Sequence, residues 1–194
     1  MKLKKFALVI AISLAAVAGL ATIAARSVSS TSTNLQLKLL VEKTDLKVGE
    51  EVKVSASITN TGNWFVRLVS LGDGSESGWR TPVAKWIIHE MHEDEAPKPL
   101  SFESLRDCGN INALTLDEIF SLAPGKTKEL GGWMHLPPFT NPGKYRVVFS
   151  YSNQPSLEWS GVPLGIHNPF AMWLIRNSTQ CDVKSNEVYF NISE

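Results

Sequence analysis

The stretch EVKVSASITN, residues 51–60, decides the fold class. Its apolar members fall on one face and its polar members on the other: Val52, Val54, Ala56 and Ile58 against Lys53, Ser55, Ser57 and Thr59. A period of two residues is typical of a β-strand that buries one face and leaves the other in water. The stretch therefore predicts a half-buried strand.

Segments of similar character recur along the chain. They are LQLKLLVE (35–42), WFVRLVSL (64–71), VAKWIIHE (83–90), DEIFSL (117–122), TKELGGWMHL (127–136), KYRVVFSYS (144–152) and NEVYFNIS (186–193). Turn-forming residues lie between them: TDLKVGE (44–50), Asn60-Thr-Gly62, Pro124-Gly125-Lys126 and Asn141-Pro-Gly143. About eight short strands without a long helical pattern predict an all-β fold, an antiparallel immunoglobulin-like sandwich.

Two insertions interrupt this rhythm: residues 91–116, which are polar, and residues 153–181, which are long for a sandwich loop. The second is expected to hold one short helix, because Asn168 can cap it, Pro169 suits its first turn and Arg176 meets its C-terminal dipole. On this helix we expect three apolar side chains to dock on the sandwich: Phe170, Trp173 and Leu174.

The N-terminus has the pattern of a bacterial secretory signal. Lys2, Lys4 and Lys5 precede an uncharged apolar run from Phe6 to Ala25, and small residues crowd the end of that run. We expect residues 1–25 to be cleaved as a signal peptide, with 26–34 as a polar leader and 35–194 as the sandwich domain. The alternative is an uncleaved anchor, because about 20 apolar residues can just span a bilayer. Either way the domain is expected to be exported, periplasmic or extracellular.

Charge argues against one class of partner. The chain has 19 basic and 19 acidic residues, and loss of the three lysines of residues 1–25 leaves a formal net charge of −3. A mildly acidic domain lacks the electrostatic footprint of a nucleic-acid-binding protein. We therefore expect no nucleic acid among its partners, and contact with a membrane only through an uncleaved N-terminal segment.

Cys108 and Cys181 are the two cysteines, and each insertion carries one. In an oxidising compartment they are expected to form a disulfide that ties the insertions together. Two buried free thiols are the alternative. Neither cysteine has a second ligand at zinc-finger spacing, so no metal is expected here.

The framework phrases resemble a known group of domains. DLKVGEEVKVSASITNTG (45–62), SLAPGKTKEL (121–130) and NPGKYRVVFSYS (141–152) are similar to the strand-and-turn phrases of bacterial exported immunoglobulin-like sandwich domains, and more loosely to the proteinase-inhibitor sandwich family of bacilli. GDGSESGWRTP (72–82) and RDCGNIN (106–112) resemble marks of a narrower exported family. The resemblance implies a fold and assigns no functional residue.

The stretch GDGSESGWRTP is the densest candidate site. Its serines lack the flanking glycines of a hydrolase nucleophile turn, and the twelfth place of a calcium loop beginning at Asp73 holds Ala84 instead of Glu. Two interpretations remain: a structural connection, or a partner-binding loop. In the second, the binding residues are Asp73, Ser75, Glu76, Trp79 and Arg80.

The histidines of HEMHEDE (89–95) do not have the spacing of a zinc-protease helix, and on a strand they point apart. Tryptophans in irregular segments are more informative. Trp79, Trp159 and Trp173 either plug the ends of the core or form a binding surface. Should their loops gather at one end, Glu158, Arg80 and Arg176 would supply polar contacts.

No nucleophile–base pair can be assembled from sequence spacing, so we expect no enzyme, no cofactor and no metal. The leading hypothesis is a non-enzymatic interaction module that binds a protein or peptide through its irregular loops. Two alternatives stay open: a carbohydrate-binding module that uses the loop tryptophans, and a proteinase inhibitor.

Overall fold

The computed structural model describes residues 34–72, 74–76, 82–93, 95–100, 115–131, 135–155, 158–159, 162–163 and 168–194, with only the backbone at 158–159 and 162–163. All of these belong to the unit Ser32–Glu194. The expected signal peptide and nearly all of the polar leader lie outside the described residues, so their assignment stays a prediction. None of the described helices is both long and apolar enough to cross a membrane.

The described residues form thirteen strands, one 3₁₀ helix (Leu116–Glu118) and one α-helix, α1 (Pro169–Arg176). The strands are β1 Leu35–Val41, β2 Asp45–Lys47, β3 Val54–Asn60, β4 Val66–Val69, β5 Val83–Met91, β6 Lys98–Leu100, β7 Ile119–Leu122, β8 Thr127–Leu130, β9 Gly143–Asn153, β10 Glu158–Trp159, β11 Val162–Pro163, β12 Cys181–Lys184 and β13 Val188–Ser193.

Two sheets build the sandwich. One has the strand order β1-β3-β8, and the other has the order β2-β13-β9-β5-β6 with β12 also paired to β9. Every pairing in them is antiparallel except β2 with β13. The remaining four strands form two smaller ladders, β4-β7 and β10-β11. The predicted fold class, an all-β antiparallel sandwich with insertions and one short helix, is confirmed.

One apolar core is shared by both sheets. From the smaller sheet it takes Leu37, Leu39 and Ile58, and from the larger sheet Phe149 and Phe190, all at most 4% exposed. In β3 the inward residues alternate with the exposed Ser55 and the partly exposed Ser57 and Thr59, as the opening stretch predicts. The period-two pattern therefore marks real faces of a sheet.

Two buried tyrosines anchor their hydroxyl groups to backbone carbonyls. Tyr145 donates to the Asn141 carbonyl at 3.0 Å, four residues upstream, as the corner tyrosine of immunoglobulin-type sandwiches does. Tyr151 donates to the Val69 carbonyl at 2.7 Å and so ties β9 to β4. Both rings are thus buried without leaving a hydroxyl unpaired.

Five short strands were not expected. β2 lies within the segment predicted as a turn, and β6, β10, β11 and β12 begin or lie within the two insertions. The predicted strand 127–136 ends at Leu130. Such short strands carry little periodic signal because two to four residues cover barely two alternations, so their pairing depends on the neighbouring strand.

Candidate functional site

Helix α1 has the caps that the sequence predicts. The Asn168 side chain accepts hydrogen bonds from the backbone N–H groups of Phe170 and Ala171 at 3.1 and 3.0 Å, and Pro169 occupies the first turn. Arg176 lies in the last turn. Two of the N–H groups that a helix start leaves unpaired are thereby satisfied.

The predicted docking face of this helix is wrong. Ala171 and Ile175 are fully buried, whereas Phe170 and Trp173 are 58% and 54% exposed. Leu174 is partly buried. The helix PFAMWLIR is apolar nearly all round, so its sequence does not mark which side faces the sandwich. The small Ala171 permits close approach and, with Ile175 one turn later, forms the packed side.

The exposed side of α1 carries an organised pair of aromatic rings. The ring centroids of Phe170 and Trp173 are 6.1 Å apart, and the ring planes are inclined by only 12°. The Arg67 guanidinium carbon, from β4, lies 5.6 Å from the Trp173 ring centroid. This is a cation–π contact between two elements that are more than one hundred residues apart in sequence. We call Arg67, Phe170 and Trp173 the aromatic platform.

Backbone and side-chain hydrogen bonds hold the two halves of the aromatic platform together. The Arg67 backbone N–H donates to the Thr179 hydroxyl at 3.1 Å, and the Thr179 N–H donates to the Arg67 carbonyl at 2.7 Å. Asn153, buried in β9, donates through its side-chain amide to the Thr179 carbonyl at 2.7 Å. The segment that follows α1 is therefore fixed against β4 and β9, which preorganises the platform.

Arg67 forms no ion pair within the described part of the chain. Its β7 neighbour in the ladder is Ser121, and both are on the outer side of β4-β7, opposite the buried Val66 and Leu122. A guanidinium that lies over an indole without a carboxylate keeps its donors available for a ligand.

The stretch around Ser75 has a structural role in the described residues. Ser75 is 1% exposed, and its hydroxyl accepts the Gly72 N–H at 3.1 Å while its backbone pairs with Gly72 and Ala84. Gly74 has a φ of +87°, which glycine adopts without strain. Glu76 is partly buried, and its Oε2 has no hydrogen-bond partner among the described residues.

Other predicted site residues lie outside the described residues: Asp73, Trp79, Arg80, Cys108, and the side chains of Glu158 and Trp159. A binding role for residues 72–82 therefore stays a prediction. Cys181 is a buried free thiol in the structure. Because Cys108 lies outside, the disulfide between the two also stays a prediction.

Burial controls the chemistry of Cys181. Desolvation raises the pKa of its thiol to about 11, against the opposing effect of a backbone hydrogen bond from Asn153. A thiol with so high a pKa is protonated at neutral pH and is a poor nucleophile. Tyr151 is buried beside it, and burial raises the pKa of its phenol well above the usual value.

A second polar cluster lies on the outer face of the larger sheet. Arg146 forms an ion pair with Glu187 at 3.1 Å and approaches His89 Nδ1 at 3.4 Å, and Tyr189 donates to Glu187 at 2.6 Å. That hydrogen bond raises the pKa of the Tyr189 phenol. The charges of Arg146 and Glu187 neutralise each other, unlike the charge of Arg67.

One open groove of about 580 Å³ lies along the turn after β1, and its lining is Lys43, Asp45, Leu46, Lys47, Val48, Gly49, Glu50 and Ser193. Lys43 and Glu50 pair across it. No three His, Cys, Asp or Glu side chains of the described residues lie close enough together to hold a metal ion. The aromatic platform is therefore the best-organised exposed site described.

No protein-family model matches the sequence, and a search of the curated proteins finds no significant match. The likeness to bacterial exported sandwich domains stays a prediction from the framework phrases. The functional proposal below accordingly depends on geometry and chemistry.

Sequence reasoning singled out Trp173 but missed its two companions. Phe170 was expected to be buried, and Arg67 was placed within a predicted strand without a role. Arg67 is separated from Trp173 by more than one hundred residues, so no spacing in the sequence connects them. Outward alternation along β4 was the available signal for Arg67, because Val66 and Leu68 on either side are buried.

Proposed function

We propose that the protein is an exported, non-enzymatic interaction module that binds a protein or peptide through the aromatic platform. The observation that carries the proposal is the exposed Phe170–Trp173 pair with Arg67 lying over the indole, where Arg67 has no ion pair among the described residues. Tryptophan, other aromatic residues and arginine are enriched in the hot spots of protein interfaces.

Preorganisation supports this proposal. The aromatic rings are carried by a capped helix, and Arg67 is held through Thr179 on both of its backbone groups. Binding then orders few side chains, which lowers the entropic cost of association. A surface that is already arranged in the free protein suits recognition of a short segment of another chain.

The platform also defines the chemistry of the expected ligand. The exposed rings would receive an aliphatic or aromatic side chain, and the Arg67 guanidinium would pair with a neighbouring carboxylate. We therefore expect peptides that combine an apolar anchor with an Asp or Glu a few residues away.

A displayed peptide library tests the proposal. The wild-type protein should enrich peptides with an apolar anchor and an acid, and Trp173→Ala should weaken their affinity about tenfold or more. Tyr189→Ala is the matched control, because Tyr189 is also 54% exposed but lies on the outer face of the larger sheet. Selection of the same peptides by Trp173→Ala would contradict the proposal.

Carbohydrate binding is the second candidate, favoured by the nearly parallel rings of Phe170 and Trp173. A sugar stacks on an open aromatic face, whereas Arg67 lies over the Trp173 ring. Arg67→Ala therefore separates the two candidates. Peptide binding should be weakened by loss of the guanidinium, while quenching of tryptophan fluorescence by soluble glycans should persist or increase.

Proteinase inhibition stays a prediction from the family likeness alone. The phrases that carry the likeness are framework strands and turns, which do not include the aromatic platform. Assays against serine, cysteine and metalloproteases at micromolar protein test it directly. No inhibition across the panel would remove this function.

A further inference from the structure

The loop between β3 and β4 presents two neighbouring aromatic side chains to solvent. Trp64 is 84% exposed and Phe65 is 73% exposed, the two highest values among the described large apolar residues. Burying such a side chain strengthens binding by about tenfold or more, so exposure of these two rings to water is unfavourable. We call Trp64 and Phe65 the aromatic tip.

Hydrogen bonds hold the backbone beneath the aromatic tip. The buried Asn60 side chain donates to the Trp64 carbonyl at 2.8 Å and to the Leu122 carbonyl at 2.9 Å, and it accepts the Gly62 N–H at 3.0 Å. Two of these bonds use backbone atoms of the loop, those of Gly62 and Trp64, and the third ties Asn60 to β7. The two aromatic side chains are therefore not needed to form the loop that displays them.

The N-terminal end of the domain is next to the aromatic tip. The Thr61 N–H donates to the Asn34 carbonyl at 2.9 Å, and a Cβ placed on Gly62 would lie 2.9 Å from the Asn34 Cβ. Residues 26–33 connect Asn34 to the apolar run Phe6–Ala25. The chain that precedes the domain therefore enters it beside the aromatic tip.

Charge in three described segments at this end of the sandwich is of one sign. Segments 60–67, 122–128 and 174–181 meet around Asn60, Arg67 and Thr179 through backbone hydrogen bonds. These three segments contain no acidic residue, and their basic residues are Arg67, Lys126, Lys128 and Arg176. The domain is mildly acidic as a whole, so this end differs from the rest of the surface.

We infer that the aromatic tip enters the headgroup–acyl interface of an anionic lipid bilayer. Tryptophan favours the boundary between headgroups and acyl chains, where its ring is buried and its N–H stays hydrated. Lysine and arginine near that boundary are attracted to anionic lipids. The tip thereby holds the domain against the membrane surface.

This inference is independent of the proposed function. The bilayer contact uses Trp64 and Phe65, whereas the proposed peptide contact uses Phe170 and Trp173. With the tip in the lipid interface, the aromatic platform would be presented close to the membrane surface. The protein or peptide partner would then bind at the membrane surface.

Quenching of tryptophan by brominated lipids tests the contact on the full chain. The run Phe6–Ala25 contains no tryptophan, so all six report on the domain. The full chain is synthesised without cells in the presence of phosphatidylcholine–phosphatidylglycerol vesicles that are brominated near the headgroup. We expect quenching, and we expect most of it to be lost in Trp64→Ala but kept in Trp173→Ala.

Phe65→Ser is the second variant, because it keeps every tryptophan and should still weaken the quenching. Lys126→Gln should reduce quenching in anionic vesicles more than in pure phosphatidylcholine vesicles. Unchanged melting temperatures of these variants establish that the fold is intact. Absence of quenching in the wild type, or its persistence in Trp64→Ala, overturns the inference.

Discussion

Aromatic side chains are buried in strand β9 but exposed to solvent in helix α1. In β9, Tyr145, Phe149 and Tyr151 are at most 2% exposed, and both tyrosine hydroxyl groups donate to backbone carbonyls. In α1, Phe170 and Trp173 are more than half exposed and contact each other and Arg67. The same residue class thus builds the core in one region and an accessible surface in the other.

The difference teaches where stability and recognition reside in this molecule. An aromatic residue on a strand between two sheets is surrounded by the core, and its removal leaves a cavity. An aromatic residue on the outer side of a helix loses only partial contacts when it is removed. Substitutions in β9 should therefore unfold the protein, and substitutions in α1 should leave the fold intact.

The largest expected effect is that of Phe149→Ala. Phe149 is 1% exposed, and its ring centroid lies 4.9 Å from that of Trp86. Loss of its buried area and the resulting cavity should lower the free energy of unfolding by about 3–5 kcal/mol. Chemical denaturation monitored by circular dichroism measures this. A loss below about 1 kcal/mol would break the contrast with α1.

The pH dependence of stability should follow Cys181. Its folded pKa of about 11 exceeds the ordinary value of 9.0, so its contribution is fully present below pH 9 and is lost as the pH rises through 11. The shift corresponds to about 3 kcal/mol in the free energy of unfolding. The pKa of Tyr151 is also raised by burial, so its ionisation further lowers the free energy of unfolding at higher pH.

Chemical denaturation of the wild type and of Cys181→Ala at a series of pH values from 8 to 11 checks this prediction. Between pH 9 and pH 11 the free energy of unfolding should fall less steeply with pH in the variant than in the wild type. The same experiment under oxidising and reducing conditions tests the predicted Cys108–Cys181 bridge, because a bridged sulfur does not titrate. If the free energy of unfolding of the wild type falls between pH 9 and pH 11 only after reduction, the bridge is established.

Tyr151→Phe should have an intermediate effect. The substitution keeps the ring in the core but leaves the buried Val69 carbonyl without the hydroxyl that donates to it. Loss of a buried hydrogen bond costs about 1–2 kcal/mol. Thermal denaturation should show a lower midpoint than in the wild type. An unchanged midpoint would indicate that β4 does not depend on this bond.

The smallest effect on stability is expected for Phe170→Ala. This side chain is 58% exposed, and the cap of its helix depends on Asn168 and on backbone N–H groups instead. The free energy of unfolding should change by less than about 0.5 kcal/mol. Binding of selected peptides should nevertheless weaken, which separates recognition from folding. A large loss of stability would indicate that Phe170 packs as part of the core and would contradict its assignment to the aromatic platform.

Strand periodicity predicted most of the framework for a physical reason. Burial on one face and solvent on the other impose a period of two, and β1, β3, β9 and β13 are long enough to display it. The capped helix was also predicted, because capping depends on residues within one turn. Strand β2 was missed because three residues at an edge carry no such period.

Sites were harder to predict than strands. Trp173 was named from its type and its irregular surroundings, but its exposure depends on which side of an apolar helix packs. Trp64 lies one residue before Phe65 in what was predicted as a strand, and alternation would have placed it on the face of the buried Val66 and Leu68. The Asn60 hydrogen bonds end the regular pattern before it reaches Trp64.

The sequence by itself determined the sandwich, its main turns and the position of its one described α-helix, because local alternation, turn chemistry and capping act over a few residues. Only the tertiary structure decided that Ala171 and Ile175 pack inward, that Arg67 lies over Trp173, and that Asn34 meets the loop bearing Trp64. These contacts join residues far apart in the chain. They depend on how whole elements pack, which no local pattern encodes.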